Sequence, residues 1–333
     1  MNLRLIAALV IIVYALAGTS CDQSHKATQS HKTEKVRKTV HVPLFNADSA
    51  YYFVEKQVAF GPRVPGTEAH NQCAGWLVEK FKQYSDTVIV QKFKARTYDN
   101  VTRNGKNIIA SFQPEQKHRI LLMSHWDSRP FADHDPDPSK HRTPIDAAND
   151  GASGVGVLLE AARHFSQQHP DAGVDIVLFD LEDWGPPTDL ELYNDEYWGL
   201  GSQYWSKNPH VLGYEASFGI LLDMVGVTDP KFKKEYFSLQ YAQFVVDMVW
   251  ERAYGLGYRD YFLDEEGTAI NDDHVYVNRY ARIPSIDIIH LDPASSNRSF
   301  FEYWHTTKDN MEHLDKRSLG ITGEVILDVV YHQ

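Results

Sequence analysis

From residue 45 to the C-terminus, short apolar runs of β type alternate with longer amphipathic stretches. Alternating and continuous apolar runs predict strands over 87–93, 107–111, 119–124, 175–179, 218–224 and 285–291. Apolar positions spaced three and four apart predict helices that include 67–84, 154–168, 202–207, 240–254 and 319–332. Runs such as DIVLF (175–179) and GILLD (219–223) lack a polar face. Strands buried on both faces read this way, which predicts an α/β fold with a sheet covered by helices on both sides.

Before residue 45 the pattern changes. Residues 5–17 (LIAALVIIVYALA) are uncharged and apolar, with Arg4 ahead of them. That layout is an export signal, too short to span a bilayer comfortably. Small residues from Ala17 to Ser20 lead to Cys21. This order resembles a bacterial lipoprotein processing site, with Gly18 standing where that motif usually has Leu. The chain divides into a signal peptide at 1–20, a polar tether at 21–44 with Cys21 as candidate lipid anchor, and a single α/β domain at 45–333. The expected location is exported and periplasmic, held to a membrane only through that anchor.

Charge narrows the partners. The 333 residues include 33 Lys and Arg against 45 Asp and Glu, a net charge of −12. Residues 22–41 carry +3, so removing them and Arg4 leaves −16 on the rest. That acidity argues against a nucleic-acid partner held by phosphate contacts. Two cysteines exclude a disulfide scaffold, and Cys73, inside the 67–84 helix pattern, reads as a small buried hydrophobe. A soluble enzyme remains, expected to be a monomer with a dimer left open.

In an α/β sheet, ligands bind beyond the carboxyl ends of the strands. Chemistry-bearing side chains stand there: His125-Trp126-Asp127, Asp180-Leu181-Glu182-Asp183-Trp184, Asp223 and His290. Beyond them lie Ala148-Asn149-Asp150-Gly151, Asp272-Asp273-His274 and Trp304-His305-Thr306. One such residue is usually a cap or a solvated group; four strand ends and three further segments in one chain point to a site. The adjacent carboxylates Glu182 and Asp183 point in different directions, so one can bind a metal while the other addresses a substrate on it. Asp150 and His305 would complete a three-ligand site with Asp183, leaving the open position of catalytic zinc. Imidazole and carboxylate donors suit zinc, with manganese or cobalt left open.

Common signatures are missing: there is no H-E-x-x-H, no P-loop and no G-x-S-x-G. Ser153 therefore reads as a close-packing residue at a helix start. Gly151, Gly154 and Gly156 read as positions that let backbone and helix approach Asp150. Trp126, Trp184, Trp198, Trp205 and Trp304 are candidate walls of an aromatic pocket, and most of them read equally well as core.

Taken together, HWDSR, ANDGASGVGVLLE, FDLED, LLDMVG, NDDH, WHT and the earlier FGPRVPGT resemble the zinc aminopeptidase-like family. Within it they resemble the animal-type glutaminyl cyclases and their bacterial relatives. The resemblance covers 46–333 and implies a mixed central β-sheet flanked by helices on both faces. It implies that N-terminal glutamine of peptides or proteins is cyclised to pyroglutamate with release of ammonia. One Zn2+ per chain would be held by Asp150, Asp183 and His305, and would polarise the γ-carboxamide oxygen. Glu182 would move the proton, with Asp223 and Asp272 as its acidic partners. Trp304 would pack against the glutaminyl side chain, with Trp184 a weaker pocket candidate.

Two positions depart from the pattern. Asp183 stands where the relatives generally carry Glu, and Asp287 where the animal cyclases carry His. A two-zinc aminopeptidase of the same fold is the alternative, using His125, Asp150, Asp183, Asp223 and His305 as ligands. HWDSR, Asp272-Asp273-His274 and Trp304-His305 favour the cyclase.

Overall fold

The apolar runs form the strands of a sheet. In chain order the strands are β1 (Thr87–Arg96), β2 (Thr102–Phe112), β3 (Arg119–His125), β4 (Gly173–Phe179), β5 (Phe218–Asp223), β6 (Phe232–Lys234), β7 (Phe262–Glu266) and β8 (Ser285–Ile289). The structure, a computed structural model, describes residues 40–333. The signal at 1–20, Cys21 and the tether through residue 39 lie outside the described residues.

Among the described residues the main sheet has six strands in the order β1-β2-β4-β3-β5-β8, while β6 pairs with β7 apart from it. β1–β2 and β2–β4 are antiparallel; β4–β3, β3–β5 and β5–β8 are parallel. The expected mixed sheet is therefore present. β3, β4, β5 and β8 are buried along their whole length, as their unbroken apolar runs require. β1 runs on to Arg96 because its outer end is solvated, and lysines on an edge strand oppose pairing with another chain.

The helices are α1 (Ala47–Val58), α2 (Glu68–Tyr84), α3 (Ala152–Gln167), α4 (Leu200–Lys207), α5 (Tyr236–Gly255), α6 (Asp273–Tyr276) and α7 (Lys316–Tyr331). Strand side chains alternate between two cores. Ile120, Leu122, Ile176, Leu178, Ile220 and Leu222 pack with residues of α1, α2, α3, α5 and α7. Leu121, Met123, Val177, Phe179 and Leu221 face the other way, onto Trp205 of α4 and onto Val277 and Ile283. Each such side chain contributes on the order of 1.5–3 kcal/mol through burial. Helices thus cover both faces, and Cys73 sits fully buried in the larger core as read from its helical context.

Side-chain caps fix where several helices begin. Asn46 accepts from Ser49 N, Thr67 from His70 N, and Glu235 from Phe237 N and Ser238 N. α5 starts four residues ahead of its predicted start at Gln240, because exposed Tyr236 and Tyr241 blur its apolar stripe. No helix among the described residues is long and apolar enough to cross a membrane.

Candidate active site

The parallel strands end at one edge, and their sequence order delivers the acids and imidazoles there. His125 closes β3, Asp223 closes β5, and Glu182-Asp183 come after β4 by a short turn. Asp150 comes from the loop before α3, Asp272 from the residue before α6, and His305 from the segment ahead of α7. Backbone at or near several of these positions is strained. Leu181 (φ 57°), Met224 (φ 48°), Ala147 (φ 52°) and His305 itself (φ 53°) adopt left-handed conformations without being glycine. Such conformations cost on the order of 1–3 kcal/mol each and persist where surrounding contacts impose them.

Asp150, Asp183 and His305 each place a ligand atom within a 4.8 Å cluster. His305 Nε2 lies 3.3 Å from Asp183 Oδ1 and 3.5 Å from Asp150 Oδ2. Asp183, although one methylene shorter than Glu, still reaches that cluster. A second triad of the same span is His125, Asp150 and Asp223. His125 Nε2 is 3.0 Å from Asp150 Oδ1 and 3.3 Å from Asp223 Oδ1, so Asp150 is common to both.

These residues suit a metal ion on chemical grounds. Asp150 Oδ2, Asp183 Oδ2, Asp223 Oδ1 and both ring nitrogens of His125 are buried without a hydrogen-bond partner. Burial, and then the Arg129 charge, lower His305 to about 3, leaving a neutral imidazole with a free lone pair. Burial, then the Asp150 charge, push Asp183 well above the usual carboxylate range, which a bound cation would reverse. Carboxylate and imidazole donors without thiolate fit zinc.

Glu182 lines the same pocket as the ligands. Burial, then the Asp272 and Asp183 charges, raise its carboxyl well above the usual range, against the pull of His125. Asp223 is pushed up to about 7, by burial first and then by Asp272 and Asp150. The pocket holds about 300 Å³ and is also lined by Asp272, Met224, Ile270, Ile289, Trp198, Phe300 and Trp304. Trp304 stacks on His305 at 3.8 Å between ring centroids.

Trp184 requires a correction. It lies outside the pocket, packed with Val64, Phe93, Leu181 and Leu200 and covered by the Arg103 guanidinium at 3.9 Å. The pocket tryptophan from that stretch is Trp198, parallel to His305 at 6.4 Å and admitted by Gly185, where a Cβ would lie 2.1 Å from the indole. Trp126 and Trp205 are core. His290 turns away from the pocket to accept from Lys231 N. Ser153 is structural, donating to Asn149 O and accepting from Val225 N. Gly151 (φ 91°) faces His125 and Gly154 faces Leu222 O, whereas Gly156 serves the packing of α3 on α1.

The residues that hold the ligands had no assigned role in the sequence. Buried Asp127 accepts from Glu182 N (3.2 Å) and Asp183 N (3.3 Å), and its Oδ1 lies 3.5 Å from His125 Nδ1. Asp309 accepts from Asn149 N (2.8 Å) and Asp150 N (3.0 Å). Arg63, fully buried, donates to the carbonyls of Trp126, Asp146 and Ala147. Arg129 forks onto Asp133 and donates to Asp183 O and Oδ1, and Asp133 Oδ1 lies 3.6 Å from His305 Nδ1. A carboxylate behind the distal nitrogen aims the other ring nitrogen at the cluster. The available signal was spacing: Asp127 stands two residues beyond the strand-end His125, and Asp309 four beyond His305.

Known proteins are similar to this chain in sequence and in fold. The model of the family described as Peptidase family M28 matches residues 107–330. A structure described as a Zn-dependent exopeptidase from Parabacteroides distasonis is 52% identical, with a TM-score of 0.86, over 88% of this chain and 100% of that one. Bacteroides thetaiotaomicron glutaminyl cyclase bound to N-acetylhistamine is 49% identical, with a TM-score of 0.86, over 88% of this chain and 100% of that one. A glutaminyl-peptide cyclotransferase from Gloydius blomhoffii is 25% identical over 285 residues, spanning 76% of this chain and 69% of that protein.

Proposed function

The chain belongs to peptidase family M28, and from that premise we propose that it is a glutaminyl-peptide cyclotransferase. It converts the N-terminal glutamine of peptides and proteins to pyroglutamate and releases ammonia. The observation that carries this is the pairing of a ligand triad with Glu182 and Asp272 inside one aromatic-walled pocket, in a chain 49% identical to a glutaminyl cyclase.

Asp150, Asp183 and His305 would hold one zinc ion per chain, which when bound would supply Lewis-acid polarisation of the γ-carboxamide oxygen. The chain's own residues do the rest. Trp304, Trp198 and Phe300 clasp the glutaminyl side chain, so that the α-amine meets the carbonyl carbon of the γ-carboxamide within one molecule. Glu182 takes a proton from that amine as the C–N bond forms and returns it to the leaving NH2 as the old C–N bond breaks. Asp223 and Asp272 line the pocket with Glu182 and oppose loss of its proton to solvent. Arg129 and Asp133 hold Asp183 and His305 in place from behind.

Residues 45–333 form the catalytic domain in this reading and act as a monomer. The run 5–17 and the residues before Cys21 support export to the periplasm and anchoring through Cys21; Cys21→Ser would move the protein from the membrane to the soluble fraction.

A two-zinc aminopeptidase is the second reading, favoured by the complete His125–Asp150–Asp223 triad. One comparison separates them: ammonia release from a Gln-initiated peptide against amino-acid release from a Leu-initiated one. Free leucine without cyclisation would overturn the cyclase, and a reproducible two zinc ions per chain would overturn the single-metal assignment.

A further inference from the structure

Beyond the pocket, along residues 269–272, Phe300 and Ile289, lies a second recess of about 200 Å³, lined by Gly267, Thr268, Leu291 and Ser299 among others. On three separate segments the lining residues of the two spaces are near neighbours in the chain: Thr268 beside Ala269, Ser299 beside Phe300, and Leu291 two residues past Ile289. The two spaces therefore lie end to end along one groove. The mechanism uses the inner one and leaves the outer one without a role.

The two spaces differ in charge. Asp150, Glu182, Asp183, Asp195, Asp223 and Asp272 line the inner pocket with neither Lys nor Arg among them, more negative charge than one zinc ion neutralises. The outer recess has Lys233 and Arg298 against a single acid, Glu266. Lys233 Nζ is already paired, with Glu265 Oε2 at 2.9 Å. Arg298 is exposed, and its guanidinium has no ion-pair or hydrogen-bond partner among the described residues. The loop that carries it is nonetheless fixed. Arg298 holds a left-handed φ of 61°, and Asn297 Oδ1 beside it accepts from Ser299 N (3.0 Å) and Phe300 N (2.7 Å) while Asn297 Nδ2 donates to Phe301 O (2.8 Å). A free, forked cation thus stands at a set place beside Phe300, a wall of the inner pocket.

Distance sets which part of a substrate arrives there. A chain advances at most about 3.3 Å per residue, so the stretch from Asp272 to Thr268 covers at most about 13 Å. Two residue lengths of substrate main chain plus one acidic side chain cover the same span. We propose that the outer recess is a subsite for the third residue of the substrate, and that Arg298 reads an acidic side chain there. The substrate class is peptides that begin Gln-Xaa-Asp or Gln-Xaa-Glu. The guanidinium supplies the planar fork that matches a carboxylate, Lys233 adds positive charge, and Leu291 offers apolar floor to the methylenes. An acid placed anywhere else along the groove faces the acids of the inner pocket without compensation. The subsite rests on the cyclase reading, since it matters only when an N-terminal glutamine occupies the inner pocket.

Ammonia release by the zinc-loaded full-length enzyme tests it, with the C-terminally amidated peptides Gln-Ala-Glu-Ala and Gln-Ala-Gln-Ala. Arg298→Gln is expected to lower kcat/KM for the Glu peptide about threefold more than for its neutral partner, through KM and with kcat little moved, as an exposed ion pair implies. Arg298→Lys should keep most of the difference. Arg298→Glu should invert it, so that Gln-Ala-Lys-Ala gains on Gln-Ala-Glu-Ala. The effect of Arg298 should also shrink as ionic strength rises toward about 1 M. Arg298 is exposed, so these variants keep the fold. Equal losses on the charged and neutral peptides in both Arg298→Gln and Arg298→Glu would overturn the subsite. A larger Arg298 effect on Gln-Glu-Ala-Ala than on Gln-Ala-Glu-Ala would overturn the assignment to the third residue. Failure of the cyclase reading looks different: the wild-type enzyme would release no ammonia from any of these peptides, which would defeat both.

Discussion

Asp127 carries more of the site than any ligand it supports, and Asp127→Asn measures how much. Its carboxylate accepts the two consecutive amides that place Glu182 and Asp183, at 3.2 and 3.3 Å, and faces His125 Nδ1 at 3.5 Å. A hydrogen bond to a buried charge is worth about 1.5–3 kcal/mol, and these distances put each at the low end. Asparagine keeps one acceptor oxygen, so one amide is orphaned while the other weakens to a neutral bond. The expected loss is about 2–3 kcal/mol of unfolding free energy, a fall of roughly 5 °C in Tm. The catalytic cost is separate: partners behind metal ligands typically cost about 10–100-fold in activity or metal affinity when changed. Urea unfolding of the zinc-loaded protein, kcat/KM on a Gln-initiated peptide and chelator competition for zinc measure the three quantities. A variant within about 0.5 kcal/mol and about twofold of wild type on all three would refute the claim that these amides depend on Asp127.

Glu182→Gln should reduce kcat by about 10²–10⁴-fold, the usual share of a general base, with zinc content near wild type; retained turnover would reassign the shuttle. Gly154→Ala would place a Cβ 2.3 Å from the Leu222 carbonyl oxygen, backbone that cannot rotate away, so α3 must lift from β5. A stability loss near ~3 kcal/mol is expected there, with falling activity because Asp150 leads into that helix. Glu160 loses from burial but gains more from Arg163, His164 and Ser49, which hold it down to about 2. Because its folded value lies below the unfolded one of 4.5, its stabilisation is complete above about pH 4.5 and disappears as pH falls toward 2. Arg163 is partly solvated, so the screened contribution is about 1–2 kcal/mol. Glu160→Gln should therefore narrow the stability gap from wild type below about pH 4, as read by urea midpoints across pH.

The strands and the donors at their ends were legible because both obey local rules. A run such as DIVLF needs burial on two faces, and the sheet supplies it at β4. Asp150, Glu182, Asp183, Asp223, Asp272 and His305 each stand at a strand end or within a short cluster of acids and imidazoles, and the fold brings all six to one pocket. The hidden part depends on contacts far apart in sequence. The Asp309 bonds to Asn149 N and Asp150 N span separations of 160 and 159 residues, and its spacing from His305 does not say which amides it meets. Trp184 and Trp198 show the same limit: both follow Glu182, and only packing, Trp184 against Val64 and Leu200 and Trp198 over Gly185, decides which ring faces the pocket. α1 was missed because its polar residues outweigh a narrow buried stripe of Ala50, Phe53, Val54 and Gln57.

The ligand set cannot by itself separate cyclisation from hydrolysis, since Asp150, Asp183, His305 and a neighbouring carboxylate can serve either. The nucleophile separates them. Hydrolysis must admit and activate a water, whereas in cyclisation the nucleophile arrives attached to the substrate and water is only a competitor. The walls then matter as much as the ligands. Met224, Ile270, Ile289, Trp198, Phe300 and Trp304 present apolar surface to one side of a space of about 300 Å³ whose other side is lined by acids and His305. On the proposed mechanism, a substrate seated against these walls would shield the proton on Glu182, so that it returns to the leaving nitrogen more readily than it escapes. In that mechanism the acids that share the pocket with Glu182 would work to the same end: with Asp272 and Asp223 nearby, Glu182 would hold its proton until a better base, the departing NH2, takes it. The hydrolytic and cyclising readings thus diverge at the residues that exclude water and retain one proton, while the metal ligands are common to both.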